Sequence, residues 1–226
     1  MICLQKLIHV VLQAAVAAKL NQLMYSEIQK FIDARQAEFN LIPDERKILL
    51  QGIANYIQKI IDEKKPVQLV YICIHNSRRS HFGQVAAAVA AKHFQLELST
   101  YSGGTVATAF NPNAINALRT IGFKIVAPDQ SSNPLYQVYF GDEKPVVCFS
   151  KIYDDPINPT SGFAAIMTCG EAEENCPFIP NAEYKTSTTY EDPTESDGSG
   201  KELEVYTDRF GQILRETLYA FSLVKK

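Results

Sequence analysis

The sequence lacks a long hydrophobic run, an excess of basic residues and an internal repeat. No stretch of its 226 residues approaches the roughly 20 apolar residues that a membrane-spanning helix needs. Its net charge of −3 argues against a general nucleic-acid binder, which would need clustered lysine and arginine. A hydrophobic content of 46% excludes a disordered or fibrous chain. We therefore expect one soluble domain plus an extension, with no membrane and no nucleic acid among its partners.

Cysteine is also too scarce for a disulfide scaffold. The chain has five cysteines, an odd number, in a length that can build a real hydrophobic core. They are Cys3, Cys73, Cys148, Cys169 and Cys176. This pattern indicates thiols in a reducing compartment, so we expect a cytoplasmic protein. Cys3 and Cys148 have no partner visible in the sequence and are expected to be inert.

The first 23 residues allow three interpretations. They have one early lysine, an apolar centre and small residues before Lys19, as a secretory signal would. His9 and Gln13 interrupt that apolar centre. The alternatives are an amphipathic helix, or residues upstream of a true start at Met24, and none of the three carries chemistry.

Two helices are predicted before residue 64. Ile28, Phe31 and Ile32 recur at helical spacing between Met24 and Glu38. A second helix is predicted from the Pro43 region to about Asp62. Its apolar face is predicted to contain Leu49, Ile53, Tyr56, Ile57, Ile60 and Ile61. We expect a helical hairpin lying against the main domain or a partner, which divides the chain into an extension (1–64) and a catalytic domain (65–226).

From residue 65 the pattern alternates between strands and helices, which is typical of an open α/β sheet. The predicted strands are 67–72, 96–101 and 163–168, and the predicted helices are 83–93, 113–120 and an amphipathic one after residue 201. That last helix is predicted to bury Leu203, Tyr206, Phe210, Leu214, Leu218 and Phe221. Residues 136–140 and 146–150 are separated by a Gly-Asp-Glu-Lys-Pro turn, which predicts an inserted β-hairpin.

The sharpest motif lies between the first strand and the helix that follows it. Cys73 and Arg79 stand six positions apart, and Ser80 follows. A short loop there can wrap its backbone N–H groups around a tetrahedral oxyanion, with Arg79 as a bidentate donor. The same positive field favours the thiolate of Cys73. The alternative is a buried cysteine before an incidental arginine, but burying Arg78 and Arg79 without an anion would be costly.

This motif resembles that of the low-molecular-weight protein tyrosine phosphatase superfamily, over roughly residues 67–221. The resemblance implies a three-layer α/β fold with a central, mostly parallel four-stranded sheet. It implies Cys73 as nucleophile, Arg79 as oxyanion clamp, Asn76 as the loop-shaping amide and Ser80 as thiolate stabiliser. The other residues implied to bind the oxyanion are Ile74, His75, Ser77 and Arg78.

Two features bear on the phosphatase interpretation. Arg78 occupies the place where related phosphatases often have a second cysteine, so a disulfide within the loop is impossible. The resemblance implies a general acid in an Asp-Pro pair, and Asp192-Pro193 fits that place. Thr194 follows where phosphatases usually have tyrosine, which weakens a phosphotyrosine specificity. The alternative for Asp192 is a turn-forming residue before proline.

A second pair of cysteines favours one branch of the superfamily. Cys169 ends a predicted strand, near enough to the Cys73 edge of the sheet for contact, and Cys176-Pro177 follows seven residues later. This pattern resembles the thioredoxin-coupled arsenate reductases. The resemblance implies that Cys73 attacks arsenate and that Cys169 forms a disulfide with Cys73 as arsenite leaves. Cys176 then attacks Cys169, which frees the Cys73 nucleophile. Thioredoxin would reduce the final disulfide.

The spacing of this pair has two further consequences. In a helix, Cys169 and Cys176 would lie about 10 Å apart along the axis, beyond the roughly 7 Å limit for a disulfide. The segment must therefore unwind during turnover, which Gly170 and Pro177 permit. The spacing is too wide for a zinc knuckle and no second pair exists, so we expect no zinc site.

Other polar residues are harder to assign. The resemblance implies a potassium ion near the loop, to which Asn76 and Ser102 are suited, but Gln84 stands where a glutamate often contributes. His75 could tune the thiolate or merely orient the loop. His81 is expected at the surface, and His93 at the end of its helix.

Three functional hypotheses follow. The first is a thioredoxin-coupled arsenate reductase using Cys73, Cys169 and Cys176. The second is a phosphatase for tyrosine phosphate or a small monoester, using Cys73, Arg79 and Asp192. The third is a module that only senses an oxyanion. An oligomer formed through the N-terminal helices is a further possibility, because their apolar faces need cover.

Overall fold

The computed structural model describes residues 24–142, 144–170 and 179–225. Its five described helices are α1 (Ser26–Ala37), α2 (Asp44–Asp62), α3 (Arg79–Phe94), α4 (Pro112–Ile121) and α5 (Glu202–Ser222). Its seven described strands are β1 (Val67–Cys73), β2 (Leu98–Gly104), β3 (Lys124–Val126), β4 (Tyr136–Tyr139), β5 (Val146–Cys148), β6 (Phe163–Met167) and β7 (Ala182–Ser187). Short 3₁₀ turns lie at Phe39–Leu41 and Pro193–Ser196.

The central sheet has four parallel strands in the order β2-β1-β6-β7. Strands β1 and β6 occupy its middle and are almost continuously apolar, as strands covered on both faces must be. The predicted parallel four-stranded sheet is therefore confirmed. Because parallel strands end together, the carboxyl ends of β1 and β6 meet at one edge, and the Cys73 loop begins there.

The larger hydrophobic core lies between this sheet and the helices. Phe82 of α3 and Phe210 of α5 are fully buried in it, with ring centroids 5.4 Å apart. Strand residues Leu69 and Ile166 contribute from the sheet. A smaller cluster on other strand positions contains both Cys73 and Cys169.

The two predicted N-terminal helices are present, and each packs against α5. Ile28 and Ile32 of α1 and Ile57 of α2 are fully buried in the larger core. This packing within the chain covers their apolar faces. The extension therefore shares one core with residues 65–225, while the boundary at residue 64 and an oligomer through these helices stay predictions.

Two positions on predicted apolar faces are wrong. Leu49 is 40% exposed, and its neighbour Leu50 is buried instead, three residues before Ile53 and seven before Ile57 on the inward face of α2. Leu203 is 47% exposed because it lies in the first turn of α5, before the helix meets the core.

The inserted hairpin is confirmed: β4 and β5 pair antiparallel, with Tyr136 opposite Cys148. A third strand, β3, extends it into a separate three-stranded sheet. The extension also reaches this sheet, where the N–H of Tyr25 donates to the carbonyl of Phe140 at 3.0 Å.

Some predictions fall outside the described residues. These are the interpretations of residues 1–23, including Cys3, and the unwinding segment that contains Cys176 and Pro177. Within the described part of the chain, no helix is long and apolar enough to cross a membrane.

Candidate active site

The loop from Cys73 to Arg78 connects β1 with α3, and its carbonyl groups are held on its outer side. Val106 N–H donates to the carbonyl of Ile74 at 2.9 Å, and Asn111 N–H to that of Ser77 at 2.9 Å. The carbonyl of His75 accepts from Ser150 Oγ at 2.9 Å. In a trans peptide the N–H points opposite to the carbonyl, so the loop directs N–H groups inward. This is the geometry that binds a tetrahedral oxyanion.

A chain of hydrogen bonds ends at the sulfur of Cys73. The Lys151 N–H donates to Asn76 Oδ1 at 2.9 Å, which fixes the orientation of that amide. Asn76 Nδ2 then donates to Ser80 Oγ at 2.8 Å. Ser80 Oγ lies 3.0 Å from Cys73 Sγ, and when Cys73 is a thiolate the Ser80 hydroxyl is the donor of this hydrogen bond. This geometry suits the thiolate-stabilising role predicted for Ser80 and the loop-shaping role predicted for Asn76.

Asn76 also turns the loop. Its φ of +42° is left-handed, a conformation that asparagine adopts more readily than most residues. Its side chain is fully buried. The asparagine therefore meets a backbone requirement and a hydrogen-bond requirement at the same position.

Both loop arginines bind Asp192, although the chain separates them by more than 110 residues. Arg79 Nη2 donates to Asp192 Oδ2 at 2.6 Å, and Arg79 Nη1 to the carbonyl of Tyr190 at 2.8 Å. Arg78 Nε lies 2.8 Å from Asp192 Oδ1. The side chain of Asp192 also caps the Pro193–Ser196 turn by accepting from Thr194 N–H. Asp192 therefore has its turn-forming role and lies beside the loop as well.

The pKa of Asp192 reflects opposing effects. Partial burial raises the pKa of this carboxyl, but the charges of Arg79 and Arg78 lower it, and the result is a pKa below its ordinary value. Asp192 is thus ionised at neutral pH while it pairs with both arginines. An oxyanion placed against Arg79 would weaken this stabilisation and would therefore favour protonation of Asp192.

Cys169 lies beyond the end of β6, next to the strand that carries Cys73. Met167 is paired with Ile72, and Thr168 N–H donates to the carbonyl of Ile72 at 2.7 Å. Cys73 is 4% exposed and Cys169 is 1% exposed, and both belong to the smaller hydrophobic cluster. The sheet thus brings these two thiols to one edge, while Cys176 is outside the described residues.

The inserted sheet supplies residues that the sequence analysis missed. Directly after β5, Ser150 holds the His75 carbonyl and Lys151 holds the Asn76 side chain. Both are buried. In the sequence, Ser150 and Lys151 are two polar residues after an apolar strand, and this pattern does not show that they contact His75 and Asn76.

His81 is not at the surface, so that prediction is wrong. Its ring is fully buried, lies 4.1 Å from the ring of Phe110, and has Nδ1 3.2 Å from Ser102 Oγ. Burial and the charge of Lys151 place its pKa well below the ordinary value. His75, by contrast, is exposed, and His93 lies in the last turn of α3 as predicted.

The residues expected around a potassium ion do not fit one. Gln84 Nε2 donates to the carbonyls of Thr100 and Val147, so these oxygens are turned towards an amide. Gln84 Oε1 accepts from Ser102 Oγ at 2.7 Å. The charge of Lys151, which is only 4% exposed, acts on Cys148 and His81 in the same network. A resident ammonium group disfavours a second cation there.

Comparisons with known proteins found similar sequences and similar solved structures. No model of a known protein family matches the chain. An arsenate reductase from Bacillus licheniformis is 27% identical over 154 residues, which cover 68% of this chain and 94% of the relative. An arsenate reductase from Bacillus subtilis is 26% identical over 152 residues, covering 66% and 92%. A solved low-molecular-weight phosphotyrosine phosphatase from Vibrio cholerae superposes with a TM-score of 0.47 and 13% identity, covering 69% of this chain and 94% of that one.

The fold and the Cys-x5-Arg-Ser loop are those of an α/β protein similar to the low-molecular-weight protein tyrosine phosphatase superfamily. The sequence similarity to arsenate reductases agrees with the resemblance predicted from the motifs and confirms it. More particularly, the chain is similar in sequence to arsenate reductases of Bacillus species.

Proposed function

We propose that this protein reduces arsenate to arsenite through the thiolate of Cys73. The observation that carries the proposal is the burial of Cys73 and Cys169 in one cluster at one edge of the sheet. A phosphatase needs only the first of these thiols, whereas arsenate reduction needs a second thiol within reach. The arsenate reductases of the two Bacillus species support the same choice.

In the first step, the Cys73 thiolate attacks the arsenic of arsenate. A sulfur–arsenic bond forms, and one oxygen leaves as water after it is protonated. Arg79 and the inward N–H groups of the loop stabilise the negative charge of the oxyanion. Asp192 is the proton donor at the leaving oxygen, once the bound oxyanion has favoured its protonation.

In the second step, the thiolate of Cys169 attacks the sulfur of Cys73. A disulfide forms between them, the sulfur–arsenic bond breaks, and its electron pair stays on arsenic, which leaves as arsenite. Cys176 then attacks Cys169, which releases the Cys73 thiolate and leaves a Cys169–Cys176 disulfide. Over the whole cycle Cys169 and Cys176 have supplied the two electrons that reduce the arsenic, and Cys73 is regenerated.

A dithiol reductant must reopen that disulfide, and we assign this role to thioredoxin. The substrate is a small oxyanion, since the loop is sized for a tetrahedral ion. The cycle needs thiols that are kept reduced, which places the reaction in the cytoplasm. Cys148 takes no part, because burial raises the pKa of its thiol to about 12.

Steady-state turnover with pure protein, thioredoxin, thioredoxin reductase and NADPH tests this proposal. We expect NADPH loss that depends on arsenate, is abolished in Cys73→Ser and Cys169→Ser, and is retained in Cys148→Ser. Full retention of turnover in both Cys169→Ser and Cys176→Ser would contradict the relay.

A phosphatase is the second candidate, favoured by the contact between Arg79 and Asp192, which places an acid beside the oxyanion loop. It predicts steady hydrolysis of p-nitrophenyl phosphate without any thiol reductant. That hydrolysis, lost in Cys73→Ser and unchanged in Cys169→Ser, would establish a phosphatase if no arsenate-dependent NADPH loss occurred.

A further inference from the structure

The N-terminal extension touches the candidate active site through Arg46, in the first turn of α2. Arg46 Nε lies 2.8 Å from Glu216 Oε2 on α5, and the two side chains are 16% and 3% exposed. Arg46 Nη2 donates to the carbonyl of Thr189 at 3.2 Å, and its guanidinium lies 4.8 Å from the ring centroid of Tyr190. One side chain of the extension therefore binds two consecutive residues that lead to Asp192.

The same segment binds the catalytic arginine from its other side. The Tyr190 hydroxyl donates to Glu216 Oε2 at 2.9 Å, while the Tyr190 carbonyl accepts from Arg79 Nη1 at 2.8 Å. Asp192, two residues later, accepts from Arg79 Nη2. Tyr190 is thus fixed at its ring by Arg46 and Glu216, and its backbone presents one of the two acceptors that orient Arg79.

Glu216 joins Arg46 and Tyr190, because both bind its Oε2 atom. Glu216 is 2% exposed as a whole residue, and a buried carboxylate is tolerated only when it is paired and hydrogen-bonded. Arg46 and Tyr190 supply two of these partners from the extension and from the loop, and Gln212 on α5 donates to the other carboxylate oxygen at 3.5 Å. Burial also raises the pKa of Tyr190 well above its ordinary value, so its hydroxyl stays a donor.

We propose that Arg46 is a positioning residue, which holds the Thr189–Asp192 segment so that Tyr190 and Asp192 keep Arg79 oriented for the oxyanion. The extension is then a working part of the catalytic unit. The proposal rests on the proposed function only in that Arg79 binds the substrate oxyanion. The same arrangement serves arsenate and a phosphate ester alike.

The chain offers a matched control. Arg215 on α5 makes a second ion pair with the extension, to Glu38 at 3.3 Å, and its side chain is 17% exposed. The two arginines are similarly exposed, although Glu38 is 27% exposed and Glu216 only 3%. Arg46 also contacts Thr189 and Tyr190 in the segment that contacts Arg79, whereas the ion pair of Arg215 is with Glu38 of the extension. Arg46→Gln and Arg215→Gln each remove one arginine that joins the extension to α5.

Two readouts separate positioning from stability. The first is the dissociation constant for inorganic phosphate, measured by calorimetry, which needs no turnover. The second is kcat and KM for arsenate in the thioredoxin-coupled assay. We expect Arg46→Gln to weaken phosphate binding and to lower kcat/KM by about tenfold or more, and Arg215→Gln to stay within about twofold of the natural protein.

If Arg46→Gln does not fold, the double variant Arg46→Gln/Glu216→Gln is measured instead. It also removes the buried Glu216 carboxylate, which the single variant leaves without its ion-pair partner. The proposal is overturned if the folded variant binds phosphate and turns over like Arg215→Gln. Were the natural protein to bind phosphate and yet reduce no arsenate, the proposed function would fail, while the phosphate constants would still decide the role of Arg46.

Discussion

At the scale of single residues, the oxyanion loop depends on the missing side chain of Gly104. A Cβ atom at this position would lie 2.5 Å from the Ile74 carbonyl oxygen and 2.7 Å from the Asn76 nitrogen. Both are backbone atoms of the loop, which cannot move away without changing its shape. The close approach of β2 to the loop therefore requires glycine.

We expect Gly104→Ala to weaken phosphate binding by at least about tenfold, which is about 1.4 kcal/mol. The control is Gly211→Ala on α5, where the nearest atom to the new Cβ is the flexible end of Arg35 at 3.0 Å. Calorimetric titration with phosphate compares the two. Normal binding in Gly104→Ala would show that the loop does not need this contact.

His81 makes a second prediction at this scale, on stability against pH. Its pKa in the folded protein is lowered by burial and by Lys151, so the unfolded chain takes up a proton first as the pH falls. Its contribution to stability is therefore complete above about pH 6.5 and is lost progressively below it. We expect the Tm to fall between about pH 7 and pH 5, and to fall less in His81→Gln.

The exposed His75 is the control for this measurement, because His75→Gln removes a histidine without removing a buried one. Thermal unfolding at several pH values gives the comparison. An equal loss of Tm in the natural protein and in His81→Gln would mean that other groups cause the acid sensitivity.

The sequence predicted those site residues whose spacing reflects their chemistry. Cys73, Arg79 and Ser80 are identified by the loop, and Asp192 by its proline. Lys151 and Arg46 were not predicted, because their roles depend on contacts across 75 and 143 or more residues of chain. His81 was misplaced because helical position alone does not show that Phe110 covers its ring.

At the scale of elements, long apolar patterns gave correct predictions, whereas strands β3 and β7 were not predicted. Strand β1 and helix α2 have long apolar patterns, and their bounds were predicted to within a residue or two. Strand β7 is AEYKTS at the edge of the sheet, and its polar sequence lacks the pattern of a buried strand. Strand β3 is only three residues long, and pairing with β4 defines it.

The N-terminal helices give a prediction at this scale. Ile28, Ile32 and Ile57 are fully buried in a core that they share with Phe210, so their removal exposes a large apolar surface. A chain lacking residues 1–64 is expected to aggregate or to lose its cooperative thermal transition, as seen by size-exclusion chromatography and circular dichroism. The control lacks only residues 1–23, which precede the first described contact, the β-bridge of Met24 with Gly141.

A monomeric, cooperatively folding product without residues 1–64 would contradict the shared core. It would instead support the predicted boundary at residue 64 as the edge of an independent domain. The same chromatography reports whether the full chain forms an oligomer.

At the scale of the whole molecule, three parts of the chain meet at one loop. The central sheet supplies Cys73, the segment after β5 supplies Lys151, and the segment after β7 supplies Asp192.

Because Lys151 already brings a buried positive charge, we expect turnover to be independent of potassium. Replacing potassium with tetramethylammonium at equal ionic strength is expected to leave kcat and Tm unchanged. A decrease in kcat or Tm on removal of potassium would instead support a bound potassium ion.

The central claim is that Cys73 and Cys169 form a disulfide as arsenite leaves. Cys176→Ser stops the relay at that stage, so one addition of arsenate is expected to give one arsenite per protein and a Cys73–Cys169 peptide in non-reducing mass spectrometry. Cys148→Ser in the same background is expected to change nothing, because Cys148 lies in the larger core, apart from the cluster that contains Cys73 and Cys169. Arsenite formed without that cross-linked peptide, or a cross-link through Cys148, would contradict the mechanism.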